Sequence, residues 1–241
     1  MTLLTGETDV FQAGNTSSCG VVFLARRRAG LAAHRRKAAL ERLAKGLDAL
    51  SVEGWLLSAR AMFGAPDAGA WAYDSGFAHD VDIAGVFDAP SPAAALSGIA
   101  ELESSGWDEL ASTQWIVGPR EFAPVASHQR GTGAPTWGFL ALWEWNDAWQ
   151  AASPTERLEY DRECDVAFHA DLNSGIHIAG RHRLDWASSW HHLGIWEADD
   201  LHTIDEAMRE HERVADFKFT TSRHFIGRRR PLLAILGMTH V

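Results

Sequence analysis

The stretch that decides the fold starts at the aromatic segment TWGFLALWEW (136–145) and continues through SPTERLEYDRECDVAFHADL (153–172), GIHIAGRHRL (175–184) and WHHLGIWE (190–197). The first, third and fourth segments have the length and pattern of strands, whereas the second has the character of a helix. Ser153 and Glu156 have capping-box spacing, so this helix should begin there and end before Gly175. DDLHTIDEAMREHERVAD (199–216) then predicts a second helix, and FKFTTSRHFIG (217–227) predicts a closing strand.

This order of elements, β-α-β-β-α-β, is the ferredoxin-like plan, and the first half of the chain repeats it. CGVVFLARRR (19–28) predicts a strand, and the following helix carries Leu40, Leu43, Leu47 and Leu50 on one face. We expect strands at 51–63, 79–90 and 112–122, a loop or hairpin at 65–77, and a capped helix at 91–106.

Internal duplication predicts the architecture. The bare face of one ferredoxin-like sheet can pack on the bare face of another, so the chain should be α+β, with tandem ferredoxin-like repeats that form a dimeric-type α/β barrel within one chain. The predicted organisation is a flexible N-terminal arm (1–18), an N-terminal half (19–123), a linker rich in Pro, Gly and Ser (124–135), a ligand-binding C-terminal half (136–230) and a C-terminal tail (231–241).

Composition limits the classes of partner. The net charge is −10 and 46% of the 241 residues are hydrophobic, so the chain can form a core and lacks the basic surface that nucleic acid needs. We expect no membrane span, because no apolar run approaches the required length. Cys19 and Cys164 are too few for a disulfide framework, which favours the cytoplasm. Histidine spacing excludes the common zinc motifs.

The strands of the second half place two kinds of side chain at opposite parities. Ile176, Ile178, Leu193 and Ile195 should share one face, and the other should carry His177, Arg181, His192 and Trp196. If a functional pocket exists, we expect the second half to line it.

With these elements in place, the chain resembles the chlorite dismutase family, heme proteins that include coproheme decarboxylases and share this tandem fold. The resemblance runs from Cys19 to Arg230 and rests on the order and spacing of several segments. They are FAHDVDIAGVFDAPSPAAAL and VGPREF in the first half, and SPTERLEYD, EADDL, MREHE and HFIGRR in the second.

The resemblance implies a heme iron between the second-half sheet and its helices. An imidazole near the end of the first helix would ligate the iron, which points to His169, with Cys164 as a thiolate alternative. Glu212 would orient that ligand. On the opposite side of the heme His177 is the closest match for an acid/base group, with Arg181 or His182 as alternatives, while Trp143 and Trp145 shape the substrate side.

The chain also departs from the family. LWEWND occupies the place of a Tyr-Pro-Met-Ser-Lys-like stretch, so Trp143 or Trp145 replaces a tyrosine and Asp147 replaces a lysine. Coproheme decarboxylation is therefore not expected. Standard chlorite decomposition is not expected either, because the chain has no clear arginine at the family's distal position. The predicted function is a heme-dependent oxidoreductase or lyase for a small molecule, in a homo-oligomer. Two alternatives stay open: a cofactor-free barrel monooxygenase or isomerase that holds an aromatic or acidic metabolite with His177, Arg181 and His192, and a non-catalytic heme-binding protein.

Overall fold

The computed structural model describes residues 17–64, 69–128, 135–214 and 216–238. The rest of the predicted arm, linker and tail lies outside these ranges. Within them the strands are β1 (Cys19–Arg27), β2 (Trp71–Asp74), β3 (Ile83–Ala89), β4 (Ala111–Phe122), β5 (Trp137–Trp145), β6 (His177–Arg183), β7 (His192–Ala198) and β8 (Thr220–Pro231). The helices are α1 (Ala33–Val52), α2 (Ala59–Met62), α3 (Pro92–Leu102), α4 (Asp108–Leu110), α5 (Asp147–Ala151), α6 (Pro154–Ser174), α7 (Leu201–Arg213), α8 (Asp216–Phe219) and α9 (Leu232–Ile235), with a π turn at Glu103–Trp107.

The strands pair antiparallel and close into a barrel in the order β1-β3-β2-β8-β5-β7-β6-β4. The α+β class is thus confirmed. Each half contributes its strands in an equivalent spatial order, β4-β1-β3-β2 in the first and β8-β5-β7-β6 in the second. The halves join where β2 pairs with β8 and where β4 pairs with β6.

Three apolar clusters hold these elements. One fills the barrel with side chains such as Val22, Leu140 and Phe225. A second lies around α1 and α3 on the first-half sheet, and it includes the four leucines predicted for one face of α1. The third, which includes Phe139, Leu172 and Trp196, lies between the second-half sheet and helices α6 and α7. Burial of apolar surface in these layers is the main force that stabilises the fold.

Local signals placed most helix ends correctly. The hydroxyl of Ser91 accepts a hydrogen bond from Ala94 N–H at the start of α3. The capping box of Ser153 and Glu156 begins α6, and Gly175 ends it in the left-handed conformation, with φ 112°. A residue with a Cβ would be strained at that position.

The strand predicted at 51–63 is wrong. Helix α1 continues to Val52, and Trp55 and Leu57 pack into the first-half apolar cluster. Only Leu56 makes a β-bridge, to Asp88. The second strand is instead β2, inside the segment expected to be a loop or hairpin, because Trp71–Asp74 pairs with both β3 and β8.

None of the described helices has both the length and the hydropathy that a bilayer crossing requires.

Candidate functional site

Three titratable side chains meet where the two halves join. Glu121 lies near the end of β4, Arg181 on β6 and His192 at the start of β7. Glu121 Oε2 accepts a hydrogen bond from Arg181 Nε at 2.8 Å and lies 3.1 Å from His192 Nδ1. The Glu121 and His192 side chains are only 12% and 11% exposed, whereas Arg181 keeps 28%. One carboxylate therefore holds an imidazole and a guanidinium together near the surface.

The electrostatics of this cluster determine which nitrogen of His192 carries a proton. Burial alone would raise the pKa of Glu121, but the hydrogen bond from His192 and the charge of Arg181 outweigh it and hold that pKa at about 2. Burial lowers the pKa of His192 below its ordinary 6.5, and Arg181 adds to this effect against the Glu121 hydrogen bond. At neutral pH an ionised Glu121 can only accept, so the neutral imidazole carries its proton on Nδ1. The Nε2 lone pair is then available as a base.

Among the residues that the structure describes, His192 Nε2 has no hydrogen-bond partner. Trp143 stacks on the imidazole, with ring centroids 5.2 Å apart and planes 29° apart. The Trp145 ring lies edge-on at 5.8 Å. Stacking fixes the plane of the imidazole, while the hydrogen bond to Glu121 fixes the orientation of the ring within that plane.

Arg181 offers further hydrogen-bond donors at this site. Its Nε serves Glu121, and its guanidinium lies 4.1 Å from the centre of the Phe122 ring. Within the described ranges no residue hydrogen-bonds to its two terminal amino groups. Asp161 lies near Arg181 on α6, where burial and the charge of Asp165 raise its pKa against the effect of Arg181. The free edge of this guanidinium can bind a carboxylate.

The predicted iron ligands on α6 occupy different sides of the helix. Cys164 lies four residues after the buried Tyr160, which places it on the side that faces the sheet. Nine residues, or about two and a half turns, separate Tyr160 from His169, so His169 lies on the opposite side. Both residues are partly buried, and the roles predicted for them stay predictions.

Helices α6 and α7 are joined by a pair that the sequence analysis missed. His211 Nε2 lies 2.9 Å from Asp171 Oδ2, with the two side chains 4% and 1% exposed. The His211 ring packs on Trp196 of β7 with a centroid distance of 5.2 Å. Glu212, the predicted partner of an imidazole on α6, is exposed. Periodicity could have found His211, since it continues the buried line of Ile204 and Ala207.

His177 and His182 have hydrogen-bond or ion-pair partners other than Glu121 and His192. His177 Nδ1 accepts a hydrogen bond from Ser127 N–H at 3.2 Å. His182 is fully buried, 3.6 Å from Asp88 Oδ1. His177 and Arg181 were expected on one face with His192, as were Ile178 and Leu193 on the other. Arg181 does share the face of His192, because both reach Glu121. The expectation is wrong for His177 and Ile178, because the register of β6 shifts between Ile178 and Arg181.

The residues between the second-half sheet and its helices do not fit a heme. Tyr160 of α6 meets Trp145 of β5 with ring centroids 6.0 Å apart, and His211 of α7 packs on Trp196 of β7 at 5.2 Å. Side chains of helix and sheet are thus in direct contact at both ends of the interface. The buried positions of α6 are Tyr160, Ala167, Asp171 and Leu172, none of which is an imidazole.

No residue of α6 or α7 lines either of two surface cavities, which have volumes of about 430 and 360 Å³. No group of three or more His, Cys, Asp or Glu side chains in the described ranges has a geometry that could hold a metal ion.

Glu121 also escaped the sequence analysis. It follows Arg120 in the segment PREF, and nothing local indicates that a partner lies 60 or 71 residues away. Only the pairing of β4 with β6 brings these residues together.

Comparison with solved structures identifies the fold. A variant of the chlorite dismutase from Candidatus Nitrospira defluvii superposes with a TM-score of 0.74 at 11% identity, over 92% of this chain and 95% of that one. The same enzyme in complex with imidazole gives 0.72, at 11% identity and with the same coverage. No family model matches, and no curated protein matches. The chain thus has the chlorite dismutase fold, as the sequence segments indicated.

Proposed function

We propose that the chain is a cofactor-independent enzyme that moves a proton on a small acidic substrate. One observation carries the proposal: an ionised Glu121 lies 3.1 Å from His192 Nδ1, and the described residues leave Nε2 free. A carboxylate that orients an imidazole in this way is a common arrangement for general-base catalysis. This is the cofactor-free alternative from the sequence, with Glu121 added and His177 removed.

The chemistry follows from three groups. His192 Nε2 takes a proton from a carbon next to a carbonyl, so that a C–H bond breaks, an N–H bond forms and the electron pair moves into an enolate. Glu121 stabilises the imidazolium, and Arg181 binds the substrate carboxylate or the enolate oxygen. His192 then returns the proton to a different carbon or to oxygen, which completes an isomerisation. Trp143 and Trp145 contact the apolar part of the substrate.

Proton exchange into a small 2-oxo acid tests the proposal. Phenylpyruvate and 2-oxobutanoate are incubated with the protein in D₂O, and loss of the C3 proton signal is followed by NMR. We expect exchange above the buffer rate that falls at least 100-fold in His192→Gln and needs more substrate in Arg181→Gln. His202→Gln and Arg209→Gln, at exposed residues of α7, are matched controls. Exchange that persists in His192→Gln, or wild-type exchange at the buffer rate with both acids, would overturn the proposal.

Heme chemistry is the second candidate, because of the chlorite dismutase fold over 92% of the chain. Hemin titration followed by absorption separates the two. We expect no stoichiometric Soret band. A band that is lost in Cys164→Ala or His169→Ala would favour the heme-dependent oxidoreductase or lyase instead. A band from heme that exchanges readily, without peroxide reactivity, would favour a heme carrier.

The same proposal includes the architecture, the oligomeric state and the location of the enzyme. We take the halves as diverged ferredoxin-like repeats, because their strand orders are equivalent. A homo-oligomer is supported by Leu158 and Val166, which are 40% and 59% exposed on the outer side of α6. Cys19 and Cys164 are not joined in a disulfide, which favours the cytoplasm. Nucleic acid is not expected as a partner, given the net charge of −10.

A further inference from the structure

Strand β6 does not alternate regularly. Ile178 packs in the cluster under α6 and α7, and Ala179 packs inside the barrel. In a regular strand Arg181 would follow Ala179 into the barrel, and His182 would follow Ile178 toward the helices. The structure shows the reverse: His182 is fully buried beside Asp88, and Arg181 reaches Glu121.

The cause is a bulge at Gly180. Arg120 pairs with His182 and Phe122 pairs with Arg181, so the β4–β6 register shifts by one residue between these pairs. Gly180 has a φ of +109°, and a Cβ there would lie 2.2 Å from Arg120 Nη1 and 2.7 Å from the Phe122 carbonyl oxygen. A side chain at this position is therefore excluded both by backbone conformation and by space.

A buried arginine holds the bulge. Arg120 Nη1 donates to the carbonyls of Ala179, at 2.6 Å, and of Phe122, at 3.4 Å. These carbonyls come from β6 and β4, one on each side of the register shift. Its Nη2 lies 3.2 Å from Asp88 Oδ1, and its side chain is 4% exposed. The guanidinium thus satisfies backbone groups that the interrupted ladder leaves open.

We propose that Arg120 and Gly180 are positioning residues, which together turn Arg181 out of the barrel and into contact with Glu121. The catalytic meaning of this inference rests on the proposed function, but the geometric claim does not. Without the bulge the guanidinium of Arg181 would enter the barrel interior, and His192 would lose a charged neighbour.

The His192 pKa, measured by NMR titration of the intact chain, reports where Arg181 lies. The charged or titratable groups that act on His192 are Glu121 from β4, Arg181 from β6 and His191 just before β7, and Arg181 lowers its pKa. Gly180→Val should force regular alternation and so raise the His192 pKa. Deletion of Gly180 also restores a regular strand, but it keeps the outward direction of Arg181, so the pKa should stay at the wild-type value.

Arg120 is tested in the same way. Arg120→Met is combined with Asp88→Asn, because the single change would leave a buried carboxylate without its cation. We expect the His192 pKa to rise in this double variant, and Arg209→Gln, at an exposed arginine of α7, to leave it unchanged. A wild-type pKa in folded Gly180→Val or in the double variant would overturn the inference, as would equal shifts in the deletion and in Gly180→Val. If these shifts occur while the wild-type protein exchanges no substrate proton, the proposed function fails and the positioning role stands.

Discussion

Replacing Asp171 with alanine tests a deeply buried link between α6 and α7. Asp171 Oδ2 lies 2.9 Å from His211 Nε2, and both side chains are at most 4% exposed. Alanine removes this acceptor and leaves the imidazole in the interior. A buried polar group that loses its partner costs about 1–3 kcal/mol, and a broken buried ion pair costs about 3–5 kcal/mol. We therefore expect a loss of about 3 kcal/mol in the free energy of unfolding.

Urea titration and thermal melting measure this loss. For a chain of this size about 3 kcal/mol corresponds to a decrease of roughly 6–12 °C in Tm. Asp205→Ala is the matched control, since Asp205 pairs with Arg209 on α7 but is 55% exposed, and it should cost at most about 0.5 kcal/mol. The double variant Asp171→Leu/His211→Leu should recover most of the loss. If Asp171→Ala costs no more than Asp205→Ala, the buried pair does not hold the two helices.

Three further predictions concern other parts of the molecule. The pKa of Glu121 is about 2, against an ordinary 4.5. The ionised carboxylate therefore stabilises the fold above about pH 4.5, and this stabilisation is lost as the pH falls toward 2. Acidification from pH 6 to pH 3 should lower the urea midpoint more in wild type than in Glu121→Gln, and equal losses would contradict this. Burial raises the pKa of the Cys19 thiol to about 11, whereas Cys164 is partly exposed. A thiol reagent at pH 8 should therefore modify one cysteine of the native chain and none in Cys164→Ser, and rapid labelling of two native thiols would refute the assignment. Gly98→Ala should destabilise α3 despite the better helix propensity of alanine, because a Cβ at Gly98 would lie 2.2 Å from the Trp55 ring. A higher Tm in this variant would contradict the prediction and show that the ring moves aside at little cost.

Local sequence signals predicted most of the fold because they act within a few residues. The hydroxyl of Ser153 and the left-handed conformation of Gly175 set the ends of α6 without help from distant parts of the chain. The wrong prediction of a strand at 51–63 has a non-local cause. Trp55 and Leu57 are apolar enough for a strand, but they pack beside α1 and α3, so burial against a helix produced a strand-like pattern.

The candidate site was predicted only in part, since it depends on pairing between distant strands. Arg181, Trp143 and Trp145 were named from the sequence, and the structure places all three around Glu121 or His192. A rule of strict alternation could not anticipate the bulge in β6, because the positive φ at Gly180 depends on Arg120 from another strand. The roles proposed for these side chains stay predictions until they are tested.

Few residues pair at the two junctions between the halves of the barrel. Strands β2 and β8 pair over four positions, and β4 and β6 pair at two positions around the bulge, whereas β5 and β8 pair over nine. Glu121 comes from one half, and Arg181 and His192 come from the other. Either half folded alone would hold only a fragment of the site. A chain whose halves have not closed on each other lacks the carboxylate that orients His192. Under the proposed function, catalysis would therefore begin only when the whole barrel has assembled.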